Sequence, residues 1–243
     1  MREAVPEVVR YMSASSPLGT PAAGLGRPLS SLPCEAMGLW NPANERDSCG
    51  VGMVVHLKSK VSRDIVVDAN QMLVRMSHRG GCGCDPTDGD GAGMLVGIPD
   101  SFLRDHCLHE LKLVLPPPGK YGVGNVFVSK NPGLQQAARI VVEKAAKSRG
   151  LKVIGWRTLP VDNSSLGANA LQTEPLTEQC YEANERGYGN KELERELYMT
   201  QVLASNEAND PKGKFYVYSC SLSSQTVIYK GSSQERGNSP PRR

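Results

Sequence analysis

The sequence has 243 residues, of which 39% are hydrophobic and 22% are charged, a composition typical of a soluble globular chain with one large or two small domains. Its 28 Lys and Arg residues against 25 Asp and Glu leave a net charge of +3, which gives no electrostatic reason to expect nucleic acid or an anionic membrane as partner. No apolar run reaches the ~18 residues of a membrane-spanning helix. Seven cysteines are too few for a disulfide scaffold, so free thiols in a reducing compartment are expected.

The two ends of the chain, residues 1–37 and 232–243, are predicted to lie outside the folded part, which is expected to begin near Gly38. Residues 1–37 are rich in Ser, Pro, Gly and Ala and have no helical or strand period that would bury a face. The acid-poor stretch from Arg10 to Cys34 is compatible with an organelle transit peptide and also with a plain disordered extension. The last residues, SSQERGNSPPRR, have no apolar content and predict a disordered tail.

The first half of the folded part is predicted to alternate between strands and helices. The apolar run CGVGMVVHL predicts a buried strand over Cys49–Leu57, and apolar residues at helical spacing predict a helix over Val66–Met76. A second strand is expected over Gly91–Ile98. Ser101 is expected to cap a helix that runs to Leu111, where PPPG ends it.

The second half continues the alternation. Gly150 is expected to end one of its helices from outside, and SLSS to close a hairpin near the end of the domain. The predicted elements are strand 121–129, helix 133–148, strand 152–160, a loop over 163–175, a surface helix over 191–206, and hairpin strands 215–221 and 225–230. This order is compatible with an α+β fold and also with a doubly wound sheet.

Residues that could take part in catalysis or ligand binding are concentrated between Asp47 and Gly93. DSCGVG contains Cys49, the HRGG turn places Arg79 thirty positions later, and a glycine-rich stretch ends in GDGAG. Each has an ordinary structural explanation, since a lone cysteine that opens a strand is usually a small buried hydrophobe. The glycine-rich stretch lacks the Lys-Ser/Thr of a phosphate-binding loop, and its acids lack the glutamate that completes a calcium loop.

A metal-binding module is a further hypothesis, because cysteines and histidines occur in two clusters. The clusters are His78, Cys82 and Cys84, and His106, Cys107 and His109. The Cys-x-Cys spacing does not match the paired ligand sets of structural zinc sites. The two histidines of the second cluster are expected on a partly exposed helix face. Tyr216 and Tyr218, which alternate on a predicted strand, are expected to pack against a neighbouring strand.

Several long motifs occur together in order and carry a family resemblance. They are GLWNPANERDSCGVGMVV, VVDANQMLVRMSHRGGCGC, GDGAGMLVGIP, LPPPGKYGVG, VIGWRTLPVDNSSLGANALQTEP and YSCSLSSQTVIYKG. Over about residues 38–231 the sequence resembles the start of the glutamate synthases, specifically the plant NADH-dependent type with its class II glutamine amidotransferase domain.

The resemblance implies a fold and a domain division. The implied fold is the α+β, four-layer αββα fold of the N-terminal nucleophile hydrolases, present here incompletely. It implies a leader and propeptide over residues 1–48, a partial amidotransferase domain over 49–231, and cleavage between Ser48 and Cys49. It also implies a plastid location, in the chloroplast stroma.

The resemblance further implies glutamine as substrate and Cys49 as catalytic nucleophile. Arg79, Gly80 and Asp90 match the family's motifs and are implied to bind substrate or to support the site structurally. No metal and no cofactor are implied for this segment. Flavin mononucleotide, an iron–sulfur cluster and NADH are implied only for downstream domains, the remainder of the synthase being the expected partner.

Two motifs of the family do not occur among the 243 residues: the HNGE motif, which supplies an oxyanion-stabilising Asn-Gly pair, and the RFSTN segment, which binds glutamine. The loss of one oxyanion donor costs ~10² to 10³ in rate. Three hypotheses therefore remain: a glutamine-hydrolysing front portion of a synthase, an inactive truncated fragment, and a Cys/His metal-binding module.

Overall fold

The structure, a computed structural model, describes residues 50–58, 60–76, 91–164, 166–208 and 217–232. Helices and strands alternate along this part of the chain. The helices are α1 (Arg63–Arg75), α2 (Asp100–Leu111), α3 (Pro132–Ser148), α4 (Ala168–Thr173) and α5 (Asn190–Ala208). The strands are β1 (Gly91–Gly97), β2 (Tyr121–Val128), β3 (Leu151–Thr158), β4 (Leu176–Asn184), β5 (Val217–Ser223) and β6 (Thr226–Ser232).

The strands form two antiparallel sheets. One has four strands in the order β3-β4-β2-β5, and the other pairs β1 with β6. The turn between β5 and β6 carries the chain from the first sheet to the second. Glu194 of α5 holds this turn, because its carboxylate accepts hydrogen bonds from the Ser223 hydroxyl at 2.8 Å and the Ser224 amide at 2.6 Å.

Helices α3 and α5 cover one face of the four-stranded sheet. Helix α3 begins where the Asn131 side chain accepts hydrogen bonds from the amides of Gly133 and Leu134, and Pro132 stands at the first helical position, where its missing N–H costs nothing. In each helix, apolar residues at helical spacing form one side, and this side packs against the sheet. The buried side chains of this layer include Val126, Val128, Val141, Val142, Ala146, Leu193 and Leu197.

The opposite face of the four-stranded sheet packs against α2 and the β1–β6 pair. Tyr121 and Tyr181 of the larger sheet meet Val227 of β6 and Leu103 of α2, and all four are buried. Helix α1 contacts β1, and none of its residues is fully buried. The arrangement is an α+β fold with two antiparallel sheets, as predicted, and it excludes a doubly wound parallel sheet for the described residues.

Most predicted elements are confirmed, within a few residues at their ends. Helix α1 begins at Arg63, where the Ser62 hydroxyl accepts from the Asp64 amide, and β1, β2, β3, α3 and α5 occur where they were predicted. Gly150 follows α3 with φ of +76°, a value that favours glycine. Helix α2 begins one residue before Ser101, so the prediction of Ser101 as its cap is wrong.

Three further predictions are wrong. Residues 50–57 form no strand, and Val51, Met53 and Leu57 are 83–95% exposed, because no strand of the described residues pairs with this segment. Strands β5 and β6 do not form a hairpin, since each pairs with a different sheet. The predicted loop over 163–175 contains helix α4. Strand β4, at an inner position of the larger sheet, was not predicted at all.

Gly124 of β2 should not tolerate a side chain. An added Cβ would lie 2.6 Å from the Ser221 carbonyl oxygen, which is backbone of the neighbouring strand and cannot rotate away. We expect Gly124→Ala to lower the free energy of unfolding by ~1–3 kcal/mol, the usual cost of overpacking. Gly97→Ala is the matched control, since a Cβ there meets nothing within 4 Å. Urea unfolding measures both, and equal stabilities would contradict the packing argument.

None of the helices in the described ranges combines the length and apolar character needed to cross a lipid bilayer.

Candidate functional site

The residues predicted to carry the chemistry, Cys49, Arg79, Gly80 and Asp90, all lie outside the described residues. The same holds for the first Cys/His cluster, at residues 78–84. The structure describes what adjoins them in the chain: residues 50–58 after Cys49, helix α1 before Arg79, and strand β1 after Asp90. The roles of the four residues therefore stay predictions. The structure describes only the segments of chain that adjoin them.

Residues 50–58 lie against α1. A Cβ added at Gly52 would lie 2.0 Å from the sulfur of Met72, so a side chain at this position would require the end of the Met72 side chain to move. Gly52 follows Cys49 by three residues, and Met72 precedes Arg79 by seven. The described parts of the chain that lead to Cys49 and to Arg79 are therefore in contact with each other.

Strand β1 continues the GDGAG motif into the smaller sheet. Gly91 pairs with Ser232, and Gly93 pairs with Lys230. A Cβ added at Gly93 would lie 3.0 Å from the Tyr229 carbonyl oxygen, which is tighter than ordinary contact. At Gly93 the backbones of β1 and β6 therefore lie close together.

A buried polar layer joins the two sheets. The Asn125 side chain of β2 donates a hydrogen bond to the Ile228 carbonyl of β6 at 2.8 Å. Its amide oxygen accepts from Gln179 of β4 at 3.0 Å, and the Gln179 oxygen accepts from the Tyr181 hydroxyl at 2.5 Å. Asn125, Gln179 and Tyr181 are each 0% exposed. This layer fixes how the smaller sheet, which continues the GDGAG motif, sits on the larger one.

This polar layer was not predicted from the sequence, because strand β4 was not predicted. The segment LTEQCYEAN places Thr177, Gln179 and Tyr181 on one face and Glu178, Cys180 and Glu182 on the other, so both faces contain polar residues. The apolar alternation that identifies a strand is absent. The available signal was the β-branched and aromatic content of the segment, together with the turn residues that flank it.

The three cysteines in the described ranges are unsuited to nucleophilic chemistry. Cys107, Cys180 and Cys220 are buried, and burial raises the pKa of each thiol, that of Cys220 to about 11. A thiol with a raised pKa contains almost no thiolate at neutral pH. A reactive cysteine in this chain must therefore be Cys34, Cys49, Cys82 or Cys84.

The second Cys/His cluster does not form a metal site. Cys107 is 0% exposed inside the core, whereas His109 is exposed. His106 is partly exposed, as predicted, and its ring nitrogen lies 2.6 Å from Glu110. Across the ranges that the structure describes, no group of three or more His, Cys, Asp or Glu side chains could hold a metal ion.

Glu110 is committed to a structural ion pair. Arg157 donates to both of its carboxylate oxygens, at 2.6 and 2.9 Å, and this pairing lowers the pKa of Glu110 to about 2. The carboxylate is ionised at neutral pH and is no candidate for a general acid. Arg157 is 6% exposed, so the pair links the end of α2 to β3.

A pocket of about 160 Å³ lies between the start of α2, the start of β2 and the β5–β6 turn. The carboxylate that lines this pocket is that of Asp100, which already accepts hydrogen bonds from the Tyr121 hydroxyl and from Arg104, both at 2.9 Å. Burial raises the pKa of Tyr121, so its hydroxyl stays protonated. Its lining includes no cysteine, and the hydroxyl of its serine, Ser224, donates to Glu194 in the contact that holds the turn, so we do not assign the chemistry to it.

The sequence model of the family described as "Glutamine amidotransferases class-II" matches residues 49–236. Glutamate synthase [NADH] of Schizosaccharomyces pombe is 38% identical over 203 residues, which are 81% of this chain and 9% of that protein. The large chain of glutamate synthase [NADPH] of Bacillus subtilis is 39% identical over 198 residues, again 81% of this chain, and 13% of that protein.

A chloroplastic relative is similar to the same extent. Ferredoxin-dependent glutamate synthase of Oryza sativa is 38% identical over 188 residues, or 77% of this chain and 12% of the relative. The chain thus spans only about a tenth of the length of the curated relatives it matches. The similarity concerns one region of much longer proteins.

Proposed function

The chain belongs to the class II glutamine amidotransferases, and we propose that it contributes the nucleophile to the amidotransferase domain of a glutamate synthase, which hydrolyses the side-chain amide of glutamine. The single observation that carries this proposal is the family match, which begins at Cys49 and runs to residue 236. The glutamate synthases named above are 38–39% identical over 77–81% of this chain. The ammonia released would serve glutamate formation.

In the proposed mechanism the Cys49 sulfur is the nucleophile. Cleavage between Ser48 and Cys49 would free the α-amine of Cys49, whose pKa of ~7.7–8.0 suits it to take the thiol proton directly or through water. The thiolate attacks the side-chain carbonyl carbon of glutamine, the C–N bond breaks, and the leaving nitrogen takes up the proton and departs as ammonia. Water then hydrolyses the γ-glutamyl thioester to glutamate and regenerates the thiol.

The three described cysteines are poor alternatives to Cys49, because each is buried with a raised pKa. In the proposal Arg79 braces the new terminus or the chain after it, as a guanidinium does through a bidentate contact. Gly80 allows close backbone approach. Asp90 holds the turn before β1 through hydrogen bonds from backbone amides.

The domain limits and the location are part of the same proposal. Residues 1–48 would be a leader and propeptide, 49–231 a partial amidotransferase domain, and 232–243 a tail. Relatives in rice and Arabidopsis carry chloroplastic names, one of them chloroplastic/mitochondrial, which supports a plastid location, the stroma, for this chain.

The remainder of a synthase would be the partner of this domain. Flavin mononucleotide, an iron–sulfur cluster and NADH belong to that remainder in the proposal. The described residues of this chain offer no ligand set for a metal or a cluster, and no step above passes through these groups.

A glutamine-analogue electrophile tests the proposal. We expect 6-diazo-5-oxo-L-norleucine to form one adduct on Cys49, located by mass spectrometry on a peptide whose first residue is Cys49, and excess glutamine to protect the thiol. Cys49→Ala should lose the adduct, whereas Cys34→Ala, a matched change in the proposed leader, should keep it. An adduct undiminished in Cys49→Ala would refute the assignment, and N-terminal sequencing that returns Met1 would refute the processing.

A further inference from the structure

Glu182 is a buried carboxyl without a hydrogen-bond partner. It lies on β4, between Gly122 of β2 and Val153 of β3, and is 0% exposed. Neither of its carboxyl oxygens has a hydrogen-bond partner within the described ranges. Glu178, four residues earlier on the same face, is also 0% exposed, but Arg139 and Gln135 bond to its carboxylate. Of the two buried glutamates on this face of β4, Glu178 therefore has hydrogen-bond partners, whereas Glu182 has none within the described ranges.

The surface that closes over Glu182 is apolar. Leu197 of α5 fills the space beside Gly122, since a Cβ added there would lie 2.4 Å from a methyl carbon of Leu197. Helix α3 contributes Ala145 and Ala146 to the same core. A carboxylate in such surroundings loses its hydration and gains nothing in return, whereas a neutral carboxyl avoids most of that cost.

The charged side chains near Glu182 are paired with groups other than its carboxyl. Arg149, at the end of α3, pairs with Glu196 of α5 at 2.6 Å, and Glu196 also pairs with Arg195. Lys152, on β3, is 64% exposed and pairs with Glu185. Arg186, which follows β4, donates to the Tyr188 hydroxyl. The titratable neighbours on β4 itself are the Cys180 thiol, whose pKa is also raised, and the paired Glu178. β2 contributes no charged side chain.

We propose that folding of this domain takes up one proton at Glu182, so that ionisation of this carboxyl at alkaline pH weakens the packing of α5 and α3 on β4. The proposal is independent of glutamine hydrolysis and would stand without it. It makes one side chain the link between pH and the stability of the helix layer.

The direction of the effect follows from the two states of the chain. Burial raises the pKa of Glu182 in the folded protein to about 8, against an ordinary value of 4.5. Its contribution to stability is fully present below pH 4.5 and is lost as pH rises to about 8. Between these limits the folding equilibrium constant falls by about tenfold per pH unit, because the unfolded state has lost a proton that the folded state keeps.

Urea unfolding of the whole chain at pH 5.5, 6.5, 7.5 and 8.5 tests this, with Glu182→Gln as the variant. Glutamine keeps the size of the side chain and removes the titration. We expect the wild-type folding constant, divided by that of Glu182→Gln, to fall about tenfold per pH unit up to pH 7.5 and to level off above pH 8. Glu185→Gln, at a carboxylate that is 57% exposed, should keep the wild-type slope. Parallel curves for the wild type and Glu182→Gln would overturn the proposal.

A direct measurement decides the question if Glu182→Gln does not fold. In the 13C-labelled wild type, the assigned side-chain carboxyl carbon of Glu182 should keep its protonated chemical shift at pH 6.5 and move between pH 7 and 9. A titration midpoint between 4 and 5 in the folded protein would overturn the proposal. Slowed hydrogen exchange in α5 at pH 6 relative to pH 8.5, after correction for intrinsic rates, would support the weakening of the helix layer.

Discussion

Replacing Arg139 with leucine should lower the free energy of unfolding by ~3–5 kcal/mol, the usual cost of leaving a buried charge without its partner. Arg139 donates hydrogen bonds to both carboxylate oxygens of Glu178, one of them at 3.0 Å. Glu178 is 0% exposed, so water cannot replace the lost guanidinium, and only Gln135 would remain, at 2.8 Å. Arg139 also lies over the Trp156 ring, 5.7 Å from its centroid, and that contact would be lost as well.

Two further variants separate the buried charge from the loss of a surface arginine. Lys144→Leu removes the cation from an exposed pair, in which Lys144 and Glu207 are 68% and 45% exposed, and should cost less than ~1 kcal/mol. Arg139→Leu combined with Glu178→Leu removes both charges and should recover much of the stability. Urea denaturation measures all three. Equal costs for Arg139→Leu and Lys144→Leu would show that the Glu178 carboxylate reaches solvent.

Patterns of apolar residues predicted the elements of this fold that bury one face. Helix α3 was predicted almost to the residue, because a run of apolar residues at helical spacing ends just before Gly150. Helix α5 was also predicted, although it is more than a surface helix, since Leu193, Leu197 and Ala204 are buried. In both helices the local signals and the tertiary packing agree.

The same patterns failed where the partner decides the structure. Residues 50–57 are apolar and β-rich, but a strand also needs a neighbour to pair with its backbone, and the described residues supply none. Strands β5 and β6 follow each other at hairpin distance, yet they pair with β2 and β1. Local sequence reports whether a segment favours an extended backbone, and it does not report which strand will pair with it.

Strand β4 failed for a different reason. Glu178, Gln179 and Glu182 are each 0% exposed in its centre, and sequence patterns assign such residues to the surface. Two of the three are accepted in the core because specific partners satisfy them, and those partners come from α3 and β2. Such pairings join residues 39–54 positions apart in the sequence and have no local signal.

The candidate site depended on family resemblance more than on pattern. Cys49 as a lone residue favours a buried hydrophobe, and only the succession of motifs from DSCGVG to GDGAG indicated a nucleophile. The family match from residue 49 supports the identification of the domain. The structure adds that Cys107, Cys180 and Cys220 are poor nucleophiles and that a polar layer fixes the smaller sheet, two facts that the sequence did not reveal.

Replacing Asn125 with alanine should lower the free energy of unfolding by ~3–5 kcal/mol, because two buried polar groups lose their partner at a cost of ~1–3 kcal/mol each and a small cavity remains. The groups are the Ile228 carbonyl, now bonded at 2.8 Å, and the Gln179 amide nitrogen, now bonded at 3.0 Å. Since Asn125 joins the two sheets, the change should also speed hydrogen exchange in β1 and β6 more than in β3.

The matched control for this change is Asn169→Ala on the exposed side of α4, which should shift stability by no more than ~0.5 kcal/mol. Urea unfolding followed by circular dichroism gives both free energies, and amide exchange followed by NMR gives the distribution of protection. If Asn125→Ala lost stability without a preferential loss of protection in β1 and β6, the polar layer would contribute to the core of the larger sheet only. The smaller sheet would then be held by apolar contacts such as those of Val227, which is 0% exposed.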